Sequence, residues 1–246
     1  MPEIEIKEEK LSGGVLVIGS LIWEKSEVRN AWRRESLDLK QHQLISLPIR
    51  YGRISSTRNC TYTMVFSSEC TVQENLGTGV FIPFSINPIE FKQLEIQAKR
   101  MINAEFNKVK NLEFLDWDWG AMGISINPLA VAKDSLKSPL VDLFLKNWSK
   151  KYSKSFNPDD YKVGEEKQII SEQGILLIDW PNLPENIDFV IATVIKPQLK
   201  NYPSAKNIAD RMLVNEYDEY FKENRKEGIS TFQDSEIKQL LNKGLT

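Results

Sequence analysis

Three arginines close together in this sequence have side chains well suited to bind a small anionic ligand. Arg50, Arg53 and Arg58 lie within nine residues of one another. A guanidinium group binds a carboxylate through two parallel hydrogen bonds, and it also binds a phosphate or an RNA backbone. The alternative is an exposed strand end whose arginines pair with nearby acidic side chains. The sequence leaves these interpretations open.

A Gly-Ser break at the end of an apolar segment is a second candidate for ligand binding. Val17 and Ile18 are followed by Gly19, Ser20 and Leu21. Glycine lets the backbone turn sharply and lets a ligand approach closely. Successive backbone N–H groups at such a turn can hold an anionic or carbonyl oxygen. A strand with a β-bulge accounts for the same residues without any ligand.

The scarcity of histidine and cysteine limits the chemistry open to this protein. The 246 residues include one histidine, His42, and two cysteines, Cys60 and Cys70. A Cys/His zinc cluster needs about four ligands, usually in close pairs, so we expect no metal and no cofactor. Acid–base chemistry must then rest on carboxylates, tyrosines or lysines. Whether Cys60 and Cys70 form a disulfide is left open.

The composition is that of a globular protein with a slight negative charge. Hydrophobic residues make up 41% and charged residues 27%, and the formal net charge is -2, which argues against a general nucleic-acid-binding surface. The apolar run Val15–Trp23 is nine residues long, well short of the roughly 20 that span a bilayer. Met1–Lys10 is mixed in charge, unlike a signal peptide. We therefore expect a cytoplasmic protein without a membrane partner.

The elements that must position these residues are mostly strands, with a few unequally placed helices. Runs of β-branched and aromatic residues predict strands, and apolar residues at helical spacing predict helices. The predicted strands are 15–18, 43–50, 61–66, 77–84, 174–180 and 189–195, and the predicted helices are 26–34, 88–105, 140–150, 205–224 and 235–241. This order favours an α+β fold over a regular alternation of strands and helices.

The order of these pieces resembles the gamma-glutamylcyclotransferase-like family. The resemblance covers residues 1–105 and the tail from about residue 189. It rests on four short motifs: the strand that ends in Gly19-Ser20-Leu21, Ser55-Ser56 and Arg58 before the strand 61–66, Leu94-Glu95 in the helix 88–105, and Tyr202-Pro203-Ser204 before the late helix. Leu94-Glu95 is similar to the family's Leu-Asp pair.

The resemblance implies both a fold and an activity. The fold would be a small twisted β-barrel with flanking helices, formed by a single domain over 1–246 with an insertion at about 107–172. Several such proteins release 5-oxoproline from a gamma-glutamyl amine or peptide. The backbone of Gly19-Ser20-Leu21 would hold the glutamyl carboxylate and amine, and Arg50, Arg53 or Arg58 would neutralise the carboxylate. A Glu three residues after the Leu-Asp pair would shuttle the proton.

This chain departs from the family pattern at the proton shuttle. The position expected to hold the glutamate is Ala98, whose side chain cannot transfer a proton. Glu95, one turn earlier, and Glu105, seven residues later on the same helix face, are the two carboxylates that could replace it. The alternative is a non-catalytic binding or interaction protein that keeps the fold without the catalytic carboxylate. An RNA-associated factor that uses the arginines is a third class, against which the net charge argues.

An aromatic and acidic run in the middle of the chain is the last candidate. Asp116, Trp117, Asp118 and Trp119 alternate, so a strand here would place both indoles on one face and both carboxylates on the other. Carboxylates beside aromatic rings can bind an amine or another cation. A packed edge strand with its aromatic rings on the core is the alternative.

Overall fold

A curled sheet forms the centre of the structure, a computed structural model that describes residues 10–132 and 135–244. The strands are β1 (Gly13–Val17), β2 (Gln43–Leu47), β3 (Ile49–Ser55), β4 (Thr61–Phe66), β5 (Gly77–Pro83), β6 (Asp116–Trp117), β7 (Gly120–Ile126) and β8 (Phe189–Ile195). Six of them form a half-barrel in the order β2-β5-β1-β8-β7-β6, while β3 and β4 form a separate hairpin. The α+β class expected from the sequence is therefore confirmed.

Strand β1 lies in the middle of the sheet because its side chains are apolar on both faces. Val15, Leu16 and Val17 are at most 2% exposed, as expected for a strand covered on both sides. β1 pairs antiparallel with β5 and parallel with β8, with Gly13 opposite Phe189. Since parallel strands end at the same edge of a sheet, the chain that follows β1 emerges beside the end of β8.

Helices flank this sheet throughout the described part of the chain. They are α1 (Glu27–Ser36), α2 (Phe91–Phe106), α3 (Pro128–Val131), α4 (Ser138–Ser149), α5 (Ala205–Val214), α6 (Glu219–Lys226) and α7 (Asp234–Gly244). Helix α2 buries a stripe that includes Leu94, Ala98 and Met101. Glu105 continues this stripe into the last turn, because residues seven apart share a helix face. Within the described residues, no helix combines the length and apolarity needed to cross a membrane.

The structure differs from the expected elements in several places. The predicted strand 43–50 is divided at Pro48 between β2 and β3, and the helix predicted from residue 88 begins at Phe91. The predicted helix 205–224 is two helices, α5 and α6, because the chain bends at 215–218, where Glu216 has a φ of 50°. The predicted strand 174–180 forms only isolated bridges, at Ile175 and Leu176. Strand β7 was not predicted, because its glycines weaken the strand signal. Within the segment 107–172, β6 and β7 are part of the main sheet.

The β3–β4 hairpin contains a bulge that decides where its arginines point. Arg50 lies opposite Val65 and Arg53 opposite Thr63, with an irregularity between Tyr51 and Arg53. Because Val65 and Thr63 are two residues apart, both arginines face the same side of the hairpin. A spacing of three in a regular strand would have placed them on opposite sides.

Candidate functional site

A cavity of about 920 Å³ lies where β1 and β8 end. Its walls come from the turn after β1, the end of β8, the β3–β4 turn, the last turn of α2 and the first turn of α6. Gly19, Ser20 and Leu21 all line it. The parallel pairing of β1 with β8 therefore brings the predicted Gly-Ser site together with residues far away in the sequence.

The backbone at Gly19–Leu21 forms a tight turn with free donors. The carbonyl of Ser20 accepts hydrogen bonds from the N–H groups of Trp23, at 3.2 Å, and Glu24, at 2.8 Å. As at the start of a helix, the first N–H groups of such a turn, those of Ser20 and Leu21, have no acceptor within the turn. These donors suit an anionic or carbonyl oxygen of a ligand.

Tyr220 packs so closely on Gly19 that only glycine fits there. A Cβ atom at this position would lie 2.6 Å from the Tyr220 hydroxyl oxygen. That hydroxyl accepts a hydrogen bond from the Met64 N–H at 3.3 Å. Burial raises the pKa of Tyr220, so the phenol keeps its proton at neutral pH. Tyr220 was not predicted from the sequence, because the bend at 215–218 directs it to the cavity.

Helix α1 stabilises the Gly19–Leu21 turn through the side chain of Arg33. The buried Arg33 donates to the carbonyl oxygens of Leu21, at 2.5 Å, and Glu24, at 3.0 Å. Helix α1 begins at its N-cap Ser26, whose side chain accepts from the Arg29 N–H. The turn is therefore held by a guanidinium group as well as by its own hydrogen bonds, which keeps its geometry preorganised.

A carboxylate with two arginine partners forms one wall of the cavity. Glu24 Oε1 lies 2.6 Å from Arg29 and Oε2 lies 2.8 Å from Arg58. Burial acts to raise the pKa of Glu24, but Arg58 and Arg29 outweigh it and lower that pKa. Arg58 also donates to the Ser20 hydroxyl at 2.5 Å. The predicted residue Arg58 is thus in the cavity, and its charge is shared with a carboxylate.

Glu105 extends from the last turn of α2 into the same cavity. Its Oε1 accepts a hydrogen bond of 2.6 Å from the Thr193 hydroxyl on β8. Burial raises the pKa of Glu105, while this hydrogen bond and the charges of Arg29 and Arg58 oppose the rise. Among the described residues no cation forms an ion pair with Glu105. A carboxylate whose pKa is raised by burial accepts a proton more readily than one in water.

The other predicted carboxylate, Glu95, lies outside the cavity lining. It forms ion pairs with Lys99 at 2.8 Å and with Lys151 at 2.7 Å. Burial tends to raise the pKa of Glu95, but the hydrogen bonds and charges of these lysines lower it. Ala98 is fully buried in the core. Of the positions considered on this helix, only Glu105 lines the cavity that contains the Gly19–Leu21 turn.

The remaining two predicted arginines lie in different surroundings. Arg53 lines the cavity, where its Nη1 donates to the carbonyl oxygens of Lys196, at 3.1 Å, and Trp119, at 3.5 Å. Arg50 does not line the cavity; it pairs with Glu69 at 2.9 Å and lies over the Tyr202 ring at 4.0 Å. The structure therefore brings Arg53 and Arg58 to the cavity, with Arg58 at the turn itself, and leaves Arg50 apart.

The aromatic run contributes one side of the cavity. Trp119 and Phe106 line it, and their ring centroids are 5.2 Å apart in an edge-to-face contact. Trp117 packs edge-on against Trp119 at 5.2 Å. Asp116 points elsewhere and accepts hydrogen bonds from Ser153. The alternating Asp and Trp residues at 116–119 indicated Trp119 as a candidate from the sequence, but no sequence pattern indicated Thr193.

Metal ligands and a disulfide are not found where the structure describes the chain. No group of three or more His, Cys, Asp or Glu side chains there could hold a metal ion. Cys60 is exposed at the cavity edge and Cys70 is buried, and both are free thiols. Burial raises the pKa of Cys70 to about 11, which disfavours a reactive thiolate.

Comparison with known proteins gives no assignment, because no protein-family model, curated protein or solved structure matches this chain.

Proposed function

We propose that this chain is a gamma-glutamylcyclotransferase-like protein that binds a small gamma-glutamyl or amino-acid-like molecule and releases 5-oxoproline from it. In this proposal the curled sheet and its helices are a form of the family's twisted β-barrel. The observation that carries the proposal is the position of Glu105. Its carboxylate lies in the same cavity as the Gly19–Leu21 turn, on the helix face where the family resemblance calls for a proton shuttle.

The glutamyl half of the substrate would lie against the Gly19–Leu21 turn. The backbone N–H groups of Ser20 and Leu21 would donate to its α-carboxylate, as they do to anions at helix starts. Arg58, held 2.5 Å from the Ser20 hydroxyl, adds positive charge beside this carboxylate. The turn is preorganised by Arg33 and Glu24, so binding costs little reordering.

The reaction is an internal cyclisation that needs one proton relay. The α-amine nitrogen of the glutamyl group attacks the γ-carbonyl carbon, a C–N bond forms, and the amide C–N bond breaks. Glu105 accepts the proton that the attacking nitrogen loses and gives it to the departing amine nitrogen. The products are 5-oxoproline and a free amine, and neither water nor an oxidant is consumed. Holding amine and carbonyl together in the cavity supplies the proximity that the reaction needs.

The surroundings of Glu105 suit both halves of this relay. A carboxylate with its pKa raised by burial is a stronger base than one in water, so it deprotonates an amine more readily. Thr193 supports the ionised form through its hydroxyl at 2.6 Å. Because no lysine or arginine of the described chain neutralises Glu105 in an ion pair, its proton affinity is retained.

The test is release of 5-oxoproline from a panel of gamma-glutamyl compounds by the purified protein. We expect turnover by the natural sequence and loss of turnover in Glu105→Gln, which keeps the shape and the hydrogen-bond acceptor. Glu95→Gln on the same helix is the matched control, because Glu95 lies outside the cavity. Unchanged turnover in Glu105→Gln, or no turnover by the folded natural sequence, would reject the enzymatic proposal.

A non-catalytic binding protein is the second candidate, and Ala98 favours it. The position at which the family resemblance expects a glutamate holds a fully buried alanine. In this case the same cavity would bind an amino-acid-like molecule without changing it. Calorimetry with gamma-glutamyl compounds distinguishes the candidates, since binding without 5-oxoproline release supports this second function.

A further inference from the structure

The cavity is larger than a glutamyl group alone requires. Its volume of about 920 Å³ lies near the upper end of the range of about 300–1,000 Å³ typical of pockets for drug-sized ligands. The Gly19–Leu21 turn occupies only one side of it. Arg53, Trp119 and Phe106 are neighbours that form another part of the lining, and their chemistry therefore bears on what else is bound.

Arg53 is a cation that forms no ion pair within the part of the chain that the structure describes. Arg29 and Arg58 share the carboxylate of Glu24, whereas no carboxylate of the described residues forms an ion pair with Arg53. Among the described residues, only its Nη1 donates to protein acceptors, which are two backbone carbonyls. Its Nε and Nη2 remain as donors for an anion of the ligand, and a guanidinium group binds a carboxylate through such a pair.

Trp119 provides a fixed aromatic surface beside this cation. Its ring is held edge-on by Phe106 and by Trp117, each with a centroid distance of 5.2 Å. The Arg53 guanidinium lies 5.4 Å from the centre of the Trp119 ring. Aromatic side chains arranged in this way accept a further ring in stacked or edge-to-face contact.

Glu105 lies between these two sides of the cavity. On one side, its backbone carbonyl accepts a hydrogen bond from Arg29, the ion-pair partner of Glu24 just after the turn. On the other side, the next residue, Phe106, packs on Trp119. The amide bond would lie at Glu105, with the glutamyl half on one side and the amine half on the other.

We infer that the amine half of the substrate is an aromatic amino acid, whose ring packs on Trp119 and Phe106 and whose carboxylate binds Arg53. The substrate class is thus a gamma-glutamyl aromatic amino acid. This inference rests on the proposed function of the cavity, and it adds a selectivity that neither the Gly19–Leu21 turn nor Glu105 provides.

Four compounds separate the contributions of the ring and the carboxylate. Gamma-glutamylphenylalanine has both, gamma-glutamylphenethylamine has the ring, gamma-glutamylalanine has the carboxylate, and gamma-glutamylethylamine has neither. Measured as kcat/KM for 5-oxoproline release, we expect the first to be best. Loss of the carboxylate should lower kcat/KM at least about tenfold, and loss of the ring should lower it about five- to tenfold.

Variants assign these effects to residues. Arg53→Gln should lower kcat/KM only for the two compounds with a carboxylate, and Arg53→Lys should retain part of that preference. Trp119→Leu should lower kcat/KM only for the two compounds with a ring. Arg50→Gln is the matched control on the same strand, because Arg50 lies outside the cavity, and it should leave all four values unchanged.

The outcomes for this inference and for the proposed function are distinguishable. Equal kcat/KM for all four compounds overturns the inference and leaves the cyclisation standing. If none of the four is turned over, the enzymatic proposal fails, and calorimetric affinities decide the inference instead. Affinities in the same order, with the same response to Arg53→Gln and Trp119→Leu, support the aromatic amino acid, whereas equal affinities or no binding overturn it.

Discussion

Each end of the β3–β4 hairpin lies near arginines and a carboxylate, but the two carboxylates, Glu166 and Glu105, differ in how many hydrogen bonds they accept. At the open end, Arg50 pairs with Glu69 at 2.9 Å and stacks on Tyr202 at 4.0 Å. At the turn end, Arg53 and Arg58 face the cavity that contains Glu105. The ring of Tyr202 also lies over Gly52, where a Cβ atom would meet it at 2.9 Å.

The buried carboxylate at the open end has a full set of partners. Glu166 Oε1 accepts from the Tyr202 hydroxyl at 2.7 Å and from the Val163 N–H at 2.9 Å, and Oε2 accepts from the Ser67 hydroxyl at 2.9 Å. Such a cluster ties the loop around Glu166 to the end of β4. Because each carboxylate oxygen is satisfied, the cluster has a structural role.

The carboxylate at the turn end has fewer partners. Within the described residues the Glu105 carboxylate accepts one hydrogen bond, from Thr193, and Arg53 has no carboxylate partner. Unpaired polar groups beside a cavity cost stability unless a ligand completes them. The comparison teaches that the number of partners, and not the type of residue, separates a ligand site from a structural cluster here.

The largest expected effect is a loss of turnover when Glu105, beside the turn end of the hairpin, is substituted. Glu105→Gln should lower kcat by about 10²- to 10⁴-fold, the usual contribution of a general acid–base residue. The measurement is 5-oxoproline release at saturating substrate, with circular dichroism as the check on folding. A folded variant that retains more than a tenth of kcat would contradict the role of Glu105.

Substitution of Glu166, at the open end of the hairpin, should lower the stability of the fold and leave turnover unchanged. Glu166→Ala leaves the buried donors of Ser67, Tyr202 and Val163 without an acceptor, so we expect a loss of about 3 kcal/mol in the free energy of unfolding. Urea denaturation measures this loss. The kcat of the protein that remains folded should be unchanged, and a large fall in kcat would mean that the two ends are coupled.

Crowding at the turn should have an intermediate effect. In Gly19→Ala the new methyl group collides with the Tyr220 hydroxyl, 2.6 Å away, and overpacking of this kind costs about 1–3 kcal/mol. We expect weaker ligand binding by calorimetry together with this loss of stability. The double variant Gly19→Ala/Tyr220→Phe, which removes the hydroxyl, should recover part of both; no recovery would place the clash elsewhere.

The pH dependence of kcat/KM should report the surroundings of Glu105. Burial raises the pKa of Glu105 above its ordinary value of 4.5, and the relay begins with the ionised carboxylate. Activity should therefore fall as the pH drops through the raised pKa, by about tenfold per pH unit on the acid side. For stability the sign is opposite, because ionising Glu105 is costly in the folded state. Raising the pH through the same pKa should weaken folding, and this weakening should be absent in Glu105→Gln.

The smallest effect is expected for the pair at the open end of the hairpin. The Glu69 side chain of the Arg50–Glu69 pair is about half exposed, at 54%, and exposed ion pairs contribute about 0–1 kcal/mol. Arg50→Gln also removes the contact of Arg50 with the Tyr202 ring at 4.0 Å, a cation–π contact worth about 0.5–1 kcal/mol. The free energy of unfolding should therefore fall by no more than about 2 kcal/mol. A measurable loss of ligand affinity in this variant would show that Arg50 does contribute to the cavity.

Local patterns in the sequence were enough to identify one side of the candidate site. The apolar run before Gly19 predicts β1, and the glycine itself marks the turn at which the backbone must come close to another group. The helical period places Glu105 on the same face as Ala98, and α2 has this geometry. These features depend on residues within a few turns of one another, so they can be read without knowing the rest of the fold.

The tertiary structure alone decided which of these residues meet. The pairing of Gly13 with Phe189 joins β1 to a strand 176 residues later and brings Thr193 to Glu105. The bulge at Gly52 turns Arg53 to the side that Arg50 shares, and the bend near Glu216 directs Tyr220 onto Gly19. Contacts of this kind depend on packing between segments that are distant in the sequence. The free energy of that packing cannot be estimated from the local propensities of either segment. The sequence by itself therefore determined the turn and the helix face, and the packing of distant strands decided which carboxylate and which arginine lie unpaired beside that turn.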